Sequence, residues 1–300
     1  MKERTDSGGL GTPTFTTKVA DVVITAVSRH PAIHLTLNRP YLAFQTAPDR
    51  ADISFHYLGA AIPPYQNAQL IFDSGGGSYR IFQQTNKYLV PLGPGECTRL
   101  ASFDLGFTQA EVYCSFPEDA GGSPGPLTIY LFEHPLDQLA LVNYLAQGRG
   151  ALLHSSGLIC ENRGWLFVGM SGAGKSTMAK IWQAAGGKIL GDDRIILRRR
   201  NGLLHIYGTP WPGELGISSP DNAPLKNIFF LEKSSQNVIR PLSPMEAVTR
   251  LVACSFPPLY NKKDMEFILD FFSQVIVDIP CYELGFVPEA GVIDFLREAV

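Results

Sequence analysis

The sequence predicts an α/β protein in two parts: a β-rich first half, then a half in which strands alternate with helices. Three observations carry this. Between residues 19 and 132, short runs rich in Val, Ile, Thr, Tyr and Phe are broken by turn residues. After residue 150, apolar strand-like runs are followed by stretches with helix start and stop signals. Between one such strand and one such helix stands the glycine-rich segment Gly169-Met170-Ser171-Gly172-Ala173-Gly174-Lys175-Ser176-Thr177.

Composition bounds what the chain can be. Hydrophobic residues make up 45% of the 300, enough for a packed core, which excludes wholesale disorder. The net charge of −3 argues against nucleic acid or an anionic membrane as the main partner. The five cysteines, Cys97, Cys114, Cys160, Cys254 and Cys281, contain no Cys-x-x-Cys pair. They therefore support neither a structural zinc site nor a disulfide scaffold. Neither a signal-peptide core nor an apolar run of membrane-spanning length is visible. A soluble, cytoplasmic protein is expected.

Residues 1–17, polar and rich in Gly, Ser and Thr, read as a flexible tail. Strands are expected at 22–27, 33–37, 53–58, 79–84, 111–116 and 127–132, forming an antiparallel sheet or sandwich. The clusters 73–77 and 121–126 read as turns; the Gly75–Gly77 run has no lysine and helix after it. Residues 135–147 read as a helix, opened by Pro135 and stopped by Gly148, and form a candidate hinge. The expected division is thus 18–148 as a β-rich domain with its linker helix, and 149–300 as a second domain.

In the second part, 151–160 and 165–169 read as adjacent strands across a turn at 161–164. Lys175–Ala185 reads as a helix stopped by Gly186, and 188–190 as a short strand. Asn201-Gly202 between 194–200 and 203–208 marks a hairpin with a type I′ turn. Further strands are expected at 227–233, 238–242 and 281–286. Ser243-Pro244-Met245-Glu246 has the form of a capping box, Asn261 and Asp264 that of a second helix start, and 288–299 closes the chain as a helix.

The segment 169–177 fits GxxxxGK[ST], a loop whose backbone N–H groups converge on phosphate oxygens at a helix N-terminus. Lys175 is placed to reach the β- and γ-phosphates of a nucleoside triphosphate, and Ser176 to offer its hydroxyl to Mg²⁺. Asp192 and Asp193 follow the next short strand, 17 and 18 residues after Lys175, so both carboxylates are expected to return to the phosphate edge. Such a pair can divide metal contact from proton acceptance; otherwise it is a solvated strand end paired with Arg194.

His154 fifteen residues before Gly169, the loop itself, and Gly191-Asp192-Asp193 together resemble the layout of the HPr serine kinase/phosphorylase family. That family shares its fold with phosphoenolpyruvate carboxykinases. The likeness covers roughly residues 150–220 and leaves the first 150 unmatched. It implies a P-loop kinase domain over 149–300 that uses ATP and Mg²⁺. It also implies an acceptor hydroxyl on Ser or Thr of a protein or peptide, and a tendency to homo-oligomers. Carried over, Lys175 resembles the phosphate-binding lysine and Asp193 the residue taking the acceptor's proton. His154 orients that aspartate or the acceptor, while Ser176 and Asp192 attend the metal. Met170 stands where the family carries an acidic residue, and Glu214 lies slightly displaced from its metal-linked glutamate. Other classes remain: a P-loop ATPase or GTPase using water, or a nucleotide-sensing module without turnover.

Three further signals have structural explanations at hand. Asn261-Lys262-Lys263-Asp264 matches the guanine-reading NKxD but precedes a helix rather than ending a strand, which favours capping. Arg198-Arg199-Arg200 reads as a solvated hairpin end, and Arg250 as a surface arginine. Trp211, in Gly208–Leu215, is either a cover for substrate or a core residue of a rigid loop.

Overall fold

Threonines that lend the N-terminus its polar composition also open the first strand. The computed structural model describes residues 14–75, 79–93, 98–116, 126–131 and 135–300, and β1 (Thr14–Val19) begins inside the segment expected as a tail. Thr16 and Thr17 are buried there, because β-branched side chains suit a pleated surface and the strand pairs along its whole length with β2 (Val22–Ser28). Residues 1–13, Cys97, Phe132, His134 and the glycines at 121, 122 and 125 lie outside the described residues.

The first half continues with β3 (Ile33–Leu37), β4 (Ile53–Gly59), β5 (Gln69–Asp73), β6 (Arg80–Gln84), β7 (Lys87–Leu92), β8 (Arg99–Asp104), β9 (Gln109–Cys114) and β10 (Leu127–Leu131). Eight of these strands form one sheet in the order β1-β2-β4-β9-β8-β7-β6-β5. The sheet is mixed rather than antiparallel, since β2, β4 and β9 run parallel to one another. Between β2 and β4 the chain leaves the sheet through β3, and between β4 and β9 it crosses to the far edge and returns strand by strand through the β5–β8 meander; such excursions bring it back in the same direction. β3 pairs in parallel with β10 in a separate two-stranded sheet.

The helix α1 (Leu136–Ala146) has nine of its 11 residues buried, Asp137 and Asn143 among them. It lies in the hydrophobic core of the first half, packed with Ile53, Phe103 and Phe107. Leu152, Ile196 and Tyr207 from beyond the expected boundary share that core. The helix expected as a hinge is therefore a core element, and its apolar residues lie on nearly every side.

The second half contains β11 (Ala151–Cys160), β12 (Arg163–Val168), α2 (Lys175–Ala184), β13 (Lys188–Gly191), β14 (Arg194–Arg200), β15 (Leu203–Tyr207), β16 (Asn222–Lys233), β17 (Val238–Pro241), α3 (Pro244–Ala253), α4 (Lys262–Asp278), β18 (Cys281–Phe286) and α5 (Gly291–Ala299). Strand β12 pairs with both β11 and β16, so β12-β11-β14-β15-β16 closes on itself. Asn201 and Gly202 adopt positive φ, 50° and 82°, as the type I′ hairpin requires. Ser243 and Glu246 form the reciprocal capping box of α3, and Asn261 caps α4 through the Lys263 and Asp264 N–H groups. Among the described residues, no helix is long and apolar enough to cross a membrane.

Candidate active site

The glycine segment joins the end of β12 to the start of α2, as its pattern requires. Gly172 and Gly174 take positive φ, 80° and 103°, and a Cβ on Gly174 would lie 2.8 Å from the Phe286 ring. Glycine at 174 is therefore demanded by both backbone and space. Gly169 is buried, Met170 is 63% exposed and Ser171 is exposed, while Ala173 donates its N–H to the Met170 carbonyl at 3.1 Å. Lys175 is buried in the first turn of α2, and its ammonium donates to the carbonyls of Gly169 (2.8 Å) and Met170 (3.1 Å). Burial pushes its pKa down, and the charges of Asp193, Cys254, Asp192 and Glu214 pull it back up. Ser176 and Thr177 follow, half-buried.

Asp192 is buried at the end of β13. It accepts backbone N–H bonds from Gly213 (3.1 Å) and Leu215 (3.0 Å), and a 3.4 Å bond from the Ser176 hydroxyl. Three donors satisfy a carboxylate that would otherwise be costly to bury. The loop 208–215 thus supplies the groups that hold Asp192, a role its sequence did not announce. Glu214 lies on that loop and is exposed; its reach to Lys175 is electrostatic. Among the described residues, no cluster of three or more His, Cys, Asp and Glu side chains is arranged to hold a metal by itself.

Asp193 turns the other way. Its carboxylate meets His154 Nε2 at 3.0 Å and the Arg194 guanidinium. The His154 hydrogen bond, then the Arg194 charge, hold its pKa below the usual carboxylate value against the opposing effect of burial. The β11–β14 register, which pairs His154 with Arg194, places the imidazole one residue from Asp193 across the sheet. A bond from His154 N to the Cys254 carbonyl at 2.7 Å fixes the backbone on the other side.

Sequence reading left three neighbours of this cluster without a role. Cys254 packs its sulfur 3.9 Å from Met170 Sδ, and burial raises its thiol pKa while Lys175 and Arg250 oppose that rise. Phe256 stacks against the Arg194 guanidinium, 5.3 Å from ring centre to Cζ. Buried Asp137 accepts from the Trp211 indole at 2.6 Å, and the same N–H reaches the Tyr41 hydroxyl at 2.8 Å. Trp211 therefore anchors the loop 208–215 to α1 and packs against the first core, which decides between its two readings for the structural one. No sequence signal marks these partners, because each comes from a distant segment.

The discounted signals resolve by their partners. Arg198 binds the Arg149 and Ala20 carbonyls, Arg199 pairs with Asp278 at 2.6 Å, and Arg200 faces Asp21 at 3.7 Å. Arg250 pairs with Glu283 and Glu232.

No protein-family model and no curated protein matches the chain. Among solved structures, it is similar to the Hpr(Ser) kinase/phosphatase from Coxiella burnetii. That similarity is weak: 13% identity over 49% of this chain and 96% of that one, with a TM-score of 0.29.

Proposed function

We propose that the chain is an ATP- and magnesium-dependent phosphotransferase that moves the γ-phosphoryl group to a hydroxyl, on Ser or Thr of a protein or peptide. One observation carries this reading: a carboxylate held by an imidazole and a guanidinium directly follows Asp192, which accepts from the hydroxyl of Ser176, the residue after the lysine of the glycine loop. Phosphoryl transfer to an alcohol needs a phosphate cradle and a group that takes the hydroxyl proton. Residues 169–177 serve as the cradle, Lys175 as the counter-charge to the terminal phosphates, and Asp193 as the proton acceptor. His154 and Arg194 are positioning residues that aim Asp193. In the transfer, the acceptor oxygen bonds to the γ-phosphorus as the bond to the β-γ bridging oxygen breaks. The hydroxyl proton goes to Asp193, and ADP leaves with the bond's electron pair.

The donor set fits magnesium. Ser176 Oγ and Asp192 Oδ2, 3.4 Å apart, are two oxygen donors beside the cradle. Magnesium is commonly held by one or two protein oxygens, substrate phosphates and water. When bound, it neutralises charge on the phosphate oxygens. Ser176 and Asp192 would hold it, and Glu214 is the further carboxylate on the loop 208–215. The residues 149–300 would form the kinase domain and 18–148 a β-rich partner domain.

Purified protein with Mg²⁺ and γ-labelled ATP should transfer label to Ser-containing peptides. Phosphate release at a rate indifferent to any acceptor would replace this reading with a hydrolase. Tight ATP binding with no turnover would replace it with a sensing module.

A further inference from the structure

A cavity of about 380 Å³ has Arg194 in its wall. It lies between α1, residues 72, 74 and 79 at the adjoining ends of β5 and β6, and the segment 255–260. Phe72, Tyr79, Val142, Phe256, Leu259 and Tyr260 give it an apolar wall. The volume falls within the range of ligand pockets, about 300–1,000 Å³.

We infer that this cavity is the acceptor's docking pocket, taking an uncharged aromatic or large aliphatic side chain of a peptide beside its acceptor hydroxyl. The inference rests on the phosphotransferase reading for the word acceptor, and on geometry for the pocket. Three observations argue it. First, the cavity is continuous with the catalytic cluster. Arg194 is part of its wall and also binds Asp193, while Phe256 lines the cavity and packs on that same guanidinium. A side chain held here places its own backbone neighbours beside the proton acceptor.

Second, most polar side chains in the wall, Gln138 excepted, are already engaged within the protein. Asn143 donates to the Leu139 carbonyl at 2.8 Å and accepts from the Tyr260 hydroxyl at 2.5 Å. Ser74 Oγ donates to the Tyr79 carbonyl at 2.9 Å, and Ser255 Oγ to the Val252 carbonyl at 2.9 Å. A polar occupant would lose water and find few free partners, whereas an apolar one gains from leaving water. Third, the charge of the wall is matched. Arg194 is its one fully charged residue among the described residues, and that charge is already met by Asp193. Burial raises the phenol pKa values of Tyr79 and Tyr260, so both stay neutral. A lysine or glutamate side chain would enter with no counter-charge.

The test uses fluorescein-labelled, Ser-containing peptide libraries in which one flanking position is fixed as Phe or as Ala. Affinity is read by fluorescence anisotropy without nucleotide. The Phe library should bind the full chain about 10- to 100-fold more tightly than the Ala library at one or more positions. Val142→Phe, which fills the cavity, should abolish the difference. So should Leu259→Asp, which charges its rim at a residue 64% exposed and therefore spares the fold. Thermal unfolding verifies that each variant is folded. Equal binding of both libraries, or a Phe preference that survives in folded Leu259→Asp, overturns the pocket. Phosphorylation of the same libraries separates the two readings. A Phe preference lost in the variants, with no label transferred, leaves the pocket standing and removes the kinase. Label transferred equally to both libraries, with equal affinities, does the reverse.

Discussion

His154 Nε2 lies 3.0 Å from Asp193 Oδ1, although the glycine loop and α2 intervene between them in the chain. Strand pairing produces the contact: β11 and β14 run antiparallel with His154 opposite Arg194, and Asp193 N-terminal to that pair accepts the imidazole from one side and the guanidinium from the other.

On the proposed reading, that geometry gives Asp193 a role separate from that of the glycine loop. Asp193→Asn should leave ATP binding intact and lower transfer by about 10²- to 10⁴-fold, the usual worth of a general base. Lys175→Ala should weaken both. Equilibrium nucleotide binding and single-turnover transfer, measured on each variant, distinguish them. Full turnover in Asp193→Asn would remove the assigned role.

The pH profile reports on the positioning residue. The His154 bond is the largest cause holding the Asp193 pKa below 3.8, so the carboxylate stays ionised down to more acidic pH than an ordinary aspartate. Its stabilisation of the fold is present above the unfolded value near 3.8 and is lost as pH falls through the lower folded value. His154→Gln should therefore move the acid limb of the transfer rate to higher pH. A mere packing role for His154 would lower the rate without moving that limb.

Gly213 has no room for a side chain. A Cβ there would lie 2.8 Å from Asp192 Oδ2 and 2.8 Å from Asp193 Cβ. Gly213→Ala should displace the Asp192 carboxylate from its two backbone donors and destabilise the protein by about 1–3 kcal/mol. The Mg²⁺ concentration for half-maximal transfer should rise about tenfold or more, read by metal titration alongside the denaturant midpoint. An unchanged metal requirement would argue that Asp192 does not serve the metal.

Asp137 makes stability depend on pH in the opposite sense to Asp193. Full burial raises its pKa to about 7, only partly offset by the Trp211 indole N–H. Between the unfolded value of 3.8 and about 7, the folded state binds the proton more tightly than the unfolded chain does. Stability from this group is complete below 3.8 and is lost as pH rises through 7. From pH 4 to pH 8, Asp137→Asn should gain on the wild type by an amount on the order of 4 kcal/mol. Denaturant unfolding at the two pH values measures it; parallel curves would show that Asp137 is ionised at no cost.

The parts legible in the residues are those whose interactions close within a few positions. Ser243 and Glu246 cap each other, Asn201-Gly202 meets the dihedral demands of its own turn, and Asn261 bonds N–H groups two and three residues on. The glycine loop is of this kind, since Gly174 needs positive φ wherever its strand and helix are placed. Strand β1 is hidden in the sequence because Thr16 and Thr17 read as polar, and only pairing with β2 and burial in the folded chain mark them as strand residues.

Residue order alone determined the glycine loop, the hairpin, the helix starts and the presence of an imidazole and two adjacent carboxylates. Tertiary structure decided what those groups do to one another. It made β2, β4 and β9 parallel and buried α1 on nearly every side. It hung Asp192 on the N–H groups of Gly213 and Leu215, tied Trp211 to Asp137, and opened a cavity against Arg194. Local dihedral and capping preferences act over about one helical turn. Strand partners, burial and the field at a carboxylate come from residues brought close only by the packed chain.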